Sequence, residues 1–359
     1  MRIGVLNSGG DCPGLNAVLH GVVGAADALG WEVIGFRDGF EGLLPPGDYM
    51  MLDPRSTRGI LQMGGTILGT VNEGHFAGKT SSGQVHAIPQ ENIEKAKTTL
   101  RLLECRALVV IGGDGSLTTG LQLLENGIQV VGVPKTIDND LQATAMTFGF
   151  DSAVHCVVDS LDRLHTTAES HKRVMILEVM GRDAGWIALH GGIAGGADVI
   201  LIPEIPFEYE HVARVVQDRS SRGQHSSLIV VAEGVRRPGT SEPFVKEASA
   251  TREHRLGGAG EAVAQEIQRL TGKQTRACVL GHLQRGGAPT ALDRILGARF
   301  GVMAVNLIKE GKFGHMVSYK SYHVDSVPIQ EAVGQVKRVD PEGEIVGAAR
   351  AIGISFGDR

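Results

Sequence analysis

The sequence predicts an α/β protein with two domains, each a mainly parallel sheet flanked by helices. Short runs rich in Val, Ile and Leu recur along the 359 residues, and helix-length amphipathic stretches separate several of them. Continuous apolar runs are typical of strands that are covered on both faces. A chain of this length can also form two domains with their own cores.

The predicted strands are residues 2–7, 32–36, 107–112, 129–133, 173–180, 198–202, 227–232 and 276–280. Most of them end in Gly or Pro. One intervening stretch places Val154, Val157 and Leu161 on a single helical face. Alternating strands and helices predict parallel sheets, in which ligands bind at the carboxyl ends of strands. We therefore looked for chemistry in the loops that follow the strands.

The composition excludes several classes of function. A net charge of −5 argues against nucleic-acid and anionic membrane partners, and an aromatic content of 4% argues against base stacking. The four cysteines form no CxxC pair, which disfavours a zinc site or a disulfide framework. No signal peptide or membrane-spanning run is present, so the sequence predicts a cytoplasmic protein.

The first loop with a chemical pattern follows residues 2–7. Gly9 and Gly10 precede a helix pattern, so backbone N–H groups there can approach a phosphate in front of a helix N-terminus. A plain tight turn between strand and helix is the alternative.

The second loop, Gly112-Gly113-Asp114-Gly115-Ser116, follows residues 107–112. Asp114 can hold Mg²⁺, which prefers carboxylate and phosphate oxygens, and Gly115 leaves room for a nucleotide. The alternative makes Asp114 a helix N-cap. We favour the metal site, because a capping Asp needs no glycine on either side.

The third loop follows residues 129–133 and contains two carboxylates, Asp138 and Asp140. One can take a proton from an attacking hydroxyl while the other helps to organise Mg²⁺. Lys135 and Thr136 can reach phosphate oxygens. A polar turn is the alternative.

Cationic residues lie at the ends of the later strands. Each arginine alone is typical of a solvated surface, but several of them in an acidic chain indicate a pocket for a phosphorylated substrate. His282 is equally compatible with a structural role. The residues concerned are Arg173, Arg182, Arg276, His282 and Arg285, with Glu233 at the end of another strand.

Five motifs in order resemble the 6-phosphofructokinase family over residues 1 to about 330. They are Gly-Gly-Asp-Cys-Pro-Gly-Leu-Asn, Gly-Gly-Asp-Gly-Ser, Pro-Lys-Thr-Ile-Asp-Asn-Asp, Glu-Val-Met-Gly-Arg and Gly-His-Leu-Gln-Arg-Gly-Gly. The resemblance implies phosphorylation of fructose 6-phosphate at its 1-hydroxyl, with Asp138 as the general base. Thr136 and Asp140 would support the sugar and the metal, and Asp114 would bind Mg²⁺.

The resemblance also implies two binding sets. The donor would lie against Gly9, Gly10, Asp114, Gly115, Ser116 and Lys135. Arg182 would stabilise the transferring phosphoryl group. The sugar phosphate would contact Thr136, Asp138, Met180, Gly181, Arg182, Glu233, His282 and Arg285. Arg173 and Arg276 match positions that reach in from a neighbouring subunit, which implies a homodimer or, as is usual in the family, a homotetramer.

The family's domain arrangement implies a donor and Mg²⁺ domain at residues 1–149 plus about 284–333. The fructose 6-phosphate domain would comprise residues 150–283 plus about 334–359. The pattern of the 330–359 segment is weak and does not by itself predict a structure.

Two residues that distinguish ATP-dependent from pyrophosphate-dependent members of the family give opposite indications about the phosphoryl donor. Lys135 resembles the pyrophosphate-dependent members, whereas Gly115 resembles the ATP-dependent ones, because pyrophosphate users carry an acid there that crowds the nucleotide. We expect ATP, since steric exclusion is harder to evade than a flexible lysine, and pyrophosphate is the alternative. A donor-contacting arginine of the family is replaced by Asn72.

Two other functions compete with this one. NAD kinases and lipid kinases also use a Gly-Gly-Asp-Gly loop, but they would not require the loop that ends in Asp138-Asn-Asp140. A non-catalytic sugar-phosphate-binding regulator would need the arginines but not Asp138.

Overall fold

The computed structural model describes residues 1–71, 74–76, 86–246 and 255–359. The chain forms two compact units, each assembled from three segments. The first unit comprises Met1–Ile137, Leu141–Ser152 and Arg285–Val336. The second unit comprises Asp138–Asp140, Ala153–Gln284 and Lys337–Arg359.

The strands of the described residues are β1 (Arg2–Asn7), β2 (Glu32–Phe36), β3 (Tyr49–Leu52), β4 (Cys105–Gly112), β5 (Val130–Pro134), β6 (Val174–Val179), β7 (Val199–Leu201), β8 (Ser227–Ala232), β9 (Val245–Lys246), β10 (Arg255–Leu256), β11 (Thr275–Val279), β12 (His315–Lys320) and β13 (His323–Pro328). The α-helices are α1 (Leu15–Ala28), α2 (Gln90–Leu102), α3 (Asp114–Glu125), α4 (Phe150–His171), α5 (Trp186–Ala194), α6 (Tyr209–Ser221), α7 (Ala259–Thr271), α8 (Ala291–Lys309), α9 (Ile329–Ala332) and α10 (Glu344–Ala351).

The first unit is built on a seven-stranded sheet of order β13-β12-β5-β4-β1-β2-β3. Its five inner strands pair in parallel, while β3 and β13 pair antiparallel at the two edges. All of β5 and nearly all of β1 are buried, as expected for strands with helices on both faces. The predicted parallel sheet is therefore confirmed, with two antiparallel edges added.

The second unit is built on a four-stranded sheet of order β11-β6-β8-β7, in which every pair is parallel. β6 and β8 are buried throughout their length, whereas the edge strand β11 is partly exposed. The two-residue strands β9 and β10 form a separate antiparallel pair. The predicted fold class is confirmed in this unit as well.

Helices α1 and α8 of the first unit pack closely because glycines lie where they meet. A Cβ at Gly21 would lie 2.2 Å from the Ala298 carbonyl oxygen, and one at Gly301 would lie 2.3 Å from the Val18 carbonyl oxygen. Neither backbone could yield without moving its helix. This packing holds the loop before α1 and the turn before α8, both of which carry predicted site residues.

None of the helices in the described ranges combines the length and the apolar composition that a membrane span needs.

Candidate active site

The three predicted loops of the first unit meet at Gly9. A Cβ placed on Gly9 would lie 3.3 Å from both Lys135 Nζ and Ser116 Oγ, and Gly9 has a φ of +83°. The loops follow the neighbouring strands β1, β4 and β5. Backbone bonds join them, from Ser8 N to Ile111 O (2.9 Å) and from Lys135 N to Gly112 O (2.9 Å). Parallel pairing thus gathers residues that lie far apart in sequence.

The second loop opens helix α3. The N-cap is Gly113, in extended backbone and without a side-chain cap bond, and Asp114 is the first helical residue. The alternative in which Asp114 serves as the N-cap is therefore wrong. Asp114 Oδ1 accepts a hydrogen bond from Gly334 N (2.7 Å). Ser116 can pack against this turn only because residue 112 is glycine. A Cβ on Gly112 would lie 2.3 Å from Ser116 Cβ.

Lys135 is a buried cation, with 5% of its surface exposed. Buried lysines need anionic or polar partners, so a lysine beside a glycine turn and a helix N-terminus suits a phosphate. The nearby Cys12 is fully buried, and burial raises the pKa of its thiol to about 12 although the Lys135 charge opposes this. Cys12 is therefore a packing residue and not a nucleophile.

Arg285 also lies beside the first loop. Its Nη1 donates to the Asp11 carbonyl oxygen at 3.1 Å, and a Cβ on Gly10 would lie 2.5 Å from the same nitrogen. The structure thus groups Arg285 with the first unit. Lys135 and Arg285 supply two positive charges beside the first loop, which is a chemistry suited to phosphate oxygens. The backbone N–H of Gly9 itself donates to the Val71 carbonyl oxygen (3.1 Å), so Gly9 offers space to a phosphate and not a donor.

Asp138 and Asp140 belong to the second unit, on either side of Asn139. Asn139 is 4% exposed and has a left-handed φ of +52°. Lys337 N donates to the Asp140 carbonyl oxygen (2.8 Å), and Lys337 Nζ donates to Asn139 Oδ1 (3.1 Å). Burial lowers the pKa of Lys337 to about 8, against the opposing effect of the Asp140 charge. Sequence reasoning missed this lysine, which lies in the weakly patterned tail.

The remaining predicted sugar-phosphate residues follow β6, β8 and β11, at the carboxyl edge of the four-stranded sheet. Gly181 has a φ of +138°, and its carbonyl accepts from Gly234 N (3.1 Å). A Cβ on Gly234 would lie 1.8 Å from the Arg182 carbonyl oxygen, so only glycine lets the two turns meet. This edge carries Met180, Gly181, Arg182, Glu233 and His282.

Gln284 holds two of these turns together and was not predicted. Its side chain is 1% exposed, and its Oε1 accepts from Met180 N (3.2 Å) while its Nε2 donates to Gly281 O (3.1 Å). Its position inside the Gly-His-Leu-Gln-Arg motif was the available signal.

Arg173 and Arg276 lie at the opposite, amino edge of the same sheet. Arg173 precedes β6, and its Nε donates to Gln274 Oε1 (2.9 Å). Arg276 is the second residue of the edge strand β11, and its Nη1 donates to Thr275 O (2.8 Å). Within this unit, therefore, the structure does not bring these two arginines to Arg182.

Asp114 is a carboxylate of the first unit's loops that can hold a hard cation. No group of three His, Cys, Asp or Glu side chains is arranged for a metal in the described ranges. A cation at Asp114 would thus complete its shell with phosphate oxygens and water, as Mg²⁺ commonly does. Asn72, which replaces the family's donor arginine, lies outside the described residues.

Comparison with known proteins identifies the family of the chain. Residues 2–308 match the family model described as phosphofructokinase. The chain is 52% identical over 357 residues to the ATP-dependent 6-phosphofructokinase of Chloroflexus aggregans, covering 99% of this chain and 98% of that protein. It is 48% identical over 344 residues to the pyrophosphate–fructose 6-phosphate 1-phosphotransferase of Amycolatopsis methanolica, covering 95% and 97%.

A solved structure of phosphofructokinase from Saccharomyces cerevisiae superposes with a TM-score of 0.78 at 32% identity. The match covers 92% of this chain and 45% of the yeast chain, so the present chain spans less than half of that protein. The sequence motifs, the two parallel sheets and the full-length relatives all agree. The chain belongs to the phosphofructokinase family.

Proposed function

We propose that this protein phosphorylates D-fructose 6-phosphate at O1 with Mg-ATP, giving fructose 1,6-bisphosphate. The observation that carries the proposal is the meeting of Gly9, Ser116 and Lys135, from three separate loops, in a chain that matches ATP-dependent 6-phosphofructokinases along its length. A NAD kinase or lipid kinase would not require the Asp138–Asp140 loop. The protein would act as a glycolytic kinase in the cytoplasm. It would have no nucleic acid or membrane as partner.

The first unit would handle the donor. Gly9 and Gly10 would border its phosphates without a side chain, Gly115 and Ser116 would approach them with backbone N–H groups of the first turn of α3, and Lys135 would neutralise their charge. Asp114 would hold Mg²⁺, which when bound neutralises charge on the transferring phosphoryl group. The buried position of Lys135 supports this role, because a fixed charge needs no rearrangement as the reaction proceeds.

The second unit would handle the acceptor. Asp138 would accept the proton of the 1-hydroxyl as that oxygen attacks the terminal phosphorus of the donor, and the donor's bridging oxygen would leave with the bond electrons. Thr136, from the end of the first unit, and Asp140 would orient the reacting groups. Arg182 would stabilise the charge on the transferring group. Met180, Gly181, Glu233, His282 and Arg285 would hold the sugar phosphate.

Arg173 and Arg276 would complete the sugar-phosphate pocket of a neighbouring copy. Their place at the amino edge of the sheet, away from the loop of Arg182, supports such a role. The active protein would then be at least a homodimer, and a homotetramer by analogy with the family.

The sequence gives conflicting indications about the phosphoryl donor. Gly115 leaves the donor site open to a nucleotide, and relatives at 52% identity are ATP-dependent. Lys135 suits pyrophosphate, and a relative at 48% identity uses it. We favour ATP because a glycine side chain cannot exclude adenosine, whereas Lys135 can serve the phosphates of either donor.

The test is turnover of fructose 6-phosphate with ATP and with pyrophosphate at matched free Mg²⁺. We expect a higher kcat/KM with ATP. A higher value with pyrophosphate would reverse the donor assignment, and turnover of neither donor would refute the proposed function.

A further inference from the structure

The C-terminal segment of the second unit bonds to loops that follow three different strands. Lys337 N donates to the Asp140 carbonyl oxygen (2.8 Å), in the loop after β5. The Lys337 carbonyl accepts from Trp186 Nε1 (2.8 Å), in the first turn of α5 after β6. Glu204, after β7, accepts from Val339 N (2.9 Å). Residues 337–339 are thus fixed at three points.

The fixed backbone aims the Lys337 side chain at Asn139. The ammonium nitrogen lies 3.1 Å from Asn139 Oδ1 and 5.7 Å from the centre of the Trp186 ring. The charged groups that face it are Asp140, which favours the ammonium form, and His190, whose own pKa is lowered mainly by burial and further by the Lys337 charge. A charge-assisted bond of this kind is stronger than one between neutral groups.

The position of Asn139 lets its contact with Lys337 affect the two neighbouring carboxylates. It lies between the two carboxylates of the loop, is almost fully buried and holds a left-handed backbone conformation. A residue in that conformation turns the chain sharply, so a change in its backbone would redirect Asp138 and Asp140 together.

We propose that Lys337 is a positioning residue for phosphoryl transfer, acting through Asn139 to hold Asp138 in the orientation that accepts the substrate proton. This inference rests on the proposed function, which makes Asp138 the general base. Packing alone does not explain a lysine here, because a methionine would cover the Trp186 ring without the cost of desolvating a charge. Only a hydrogen-bond donor reaches the Asn139 oxygen.

The experiment compares Lys337→Met, Lys337→Arg, Asn139→Ala and the Lys337→Met/Asn139→Ala double variant by steady-state kinetics and thermal unfolding. For Lys337→Met we expect kcat to fall roughly 10- to 100-fold, since small displacements of a catalytic group have effects of that size. The KM for fructose 6-phosphate should change little. Lys337→Arg should recover much of the loss, because a guanidinium also donates to an amide oxygen.

The double variant is the decisive measurement. If Lys337 acts through Asn139, adding Lys337→Met to Asn139→Ala should lower kcat by no more than about twofold further. Independent effects that multiply would overturn the proposal, as would a Lys337→Met protein whose kcat is unchanged. A fall in Tm accompanied by equal losses in kcat and in substrate affinity would show that the role is only structural.

Two reference variants separate this inference from the proposed function. Lys309→Met removes an exposed lysine at the end of α8 and should leave turnover unchanged. Asp138→Asn, measured in the same assay, should abolish most turnover. If Asp138→Asn is active, Asp138 is not the general base, and the mechanism on which this inference rests fails; the proposed function itself fails only if the unaltered protein turns over neither donor. If Asp138→Asn is inactive and Lys337→Met retains full kcat, only the positioning role fails.

Discussion

The two compact units hold their candidate site residues in different ways. In the first unit the groups are buried and set by backbone: Gly9 has a positive φ, Lys135 is 5% exposed and Ser116 is 8% exposed. In the second unit the Arg182 and His282 side chains are exposed, whereas Asp138 is only partly exposed. The first unit is therefore organised before any ligand arrives, whereas the exposed Arg182 and His282 side chains of the second can adjust to one.

This contrast predicts different sensitivities. A prearranged backbone site is sensitive to an added atom, because the neighbouring groups are already in contact and must move to make room. A site of projecting side chains is sensitive instead to loss of a functional group. The changes below test each half of this comparison, in order of decreasing expected effect.

Asp138→Asn should have the largest effect, because it removes a proton acceptor and leaves the shape of the side chain almost unchanged. We expect kcat to fall by roughly 10²–10⁴-fold, the usual contribution of a general base. The KM for fructose 6-phosphate should stay close to that of the unaltered protein. Initial rates at saturating ATP check this, and a kcat within tenfold of the original would remove Asp138 from the mechanism.

Asp293→Asn tests the buried scaffold of the first unit. Asp293 is fully buried, and its Oδ2 accepts from Ser152 N (2.8 Å) and Ser152 Oγ (2.6 Å) at the start of α4. Burial raises its pKa from 3.8 to about 6. Because the pKa is higher in the folded state, the unaltered protein should lose stability as pH rises from about 4 through 6. The loss is about 3 kcal/mol at about 1.4 kcal/mol per pKa unit.

An asparagine at position 293 does not ionise, so the variant should lack that loss. The free energy of unfolding of Asp293→Asn minus that of the original should therefore increase by up to about 3 kcal/mol between pH 4 and pH 8. Urea unfolding at several pH values measures the difference, in which carboxylates common to both proteins cancel. If the free energy of unfolding depended on pH in the same way in both proteins, ionisation of Asp293 would carry no cost in the folded state.

Gly10→Ala should have the smallest effect of the three. The new Cβ would lie 2.5 Å from Arg285 Nη1, and a flexible guanidinium can move away at the cost of its bond to Asp11 O. We expect roughly a tenfold loss in kcat/KM for fructose 6-phosphate, the size of one charge-assisted hydrogen bond. Gly24→Ala is the matched control, since nothing lies within 4 Å of a Cβ there. Equal effects of the two changes would mean that the first unit is less prearranged than its contacts indicate.

Much of this structure follows from local sequence patterns. Each of the eight predicted strands corresponds to an observed one, because buried parallel strands are uniformly apolar. The strands β3, β12 and β13 of the seven-stranded sheet were not predicted. β12 and β13 mix polar and apolar residues, and all three lie at or next to an edge of the sheet. The meeting of three loops at Gly9 could be expected from parallel pairing alone.

The residues that sequence reasoning missed are those whose roles depend on tertiary position. Gln284 joins the turn after β6 to the turn after β11, and Lys337 bonds to a loop almost 200 residues earlier in the chain. The residues next to Gln284 and Lys337 in the sequence do not indicate these long-range contacts. The placement of Arg173 and Arg276 at the amino ends of β6 and β11, by contrast, follows from the sequence, in which each arginine is the first residue of a predicted strand.

The division of each unit into three segments has a consequence for how the gene can be recombined. No single cut separates the units, because residues 285–336 return to the first unit after most of the second has been passed. A chimera made by one crossover would mix parts of both units from different parents. Exchange of a whole unit between relatives would need crossovers at every passage of the chain from one unit to the other.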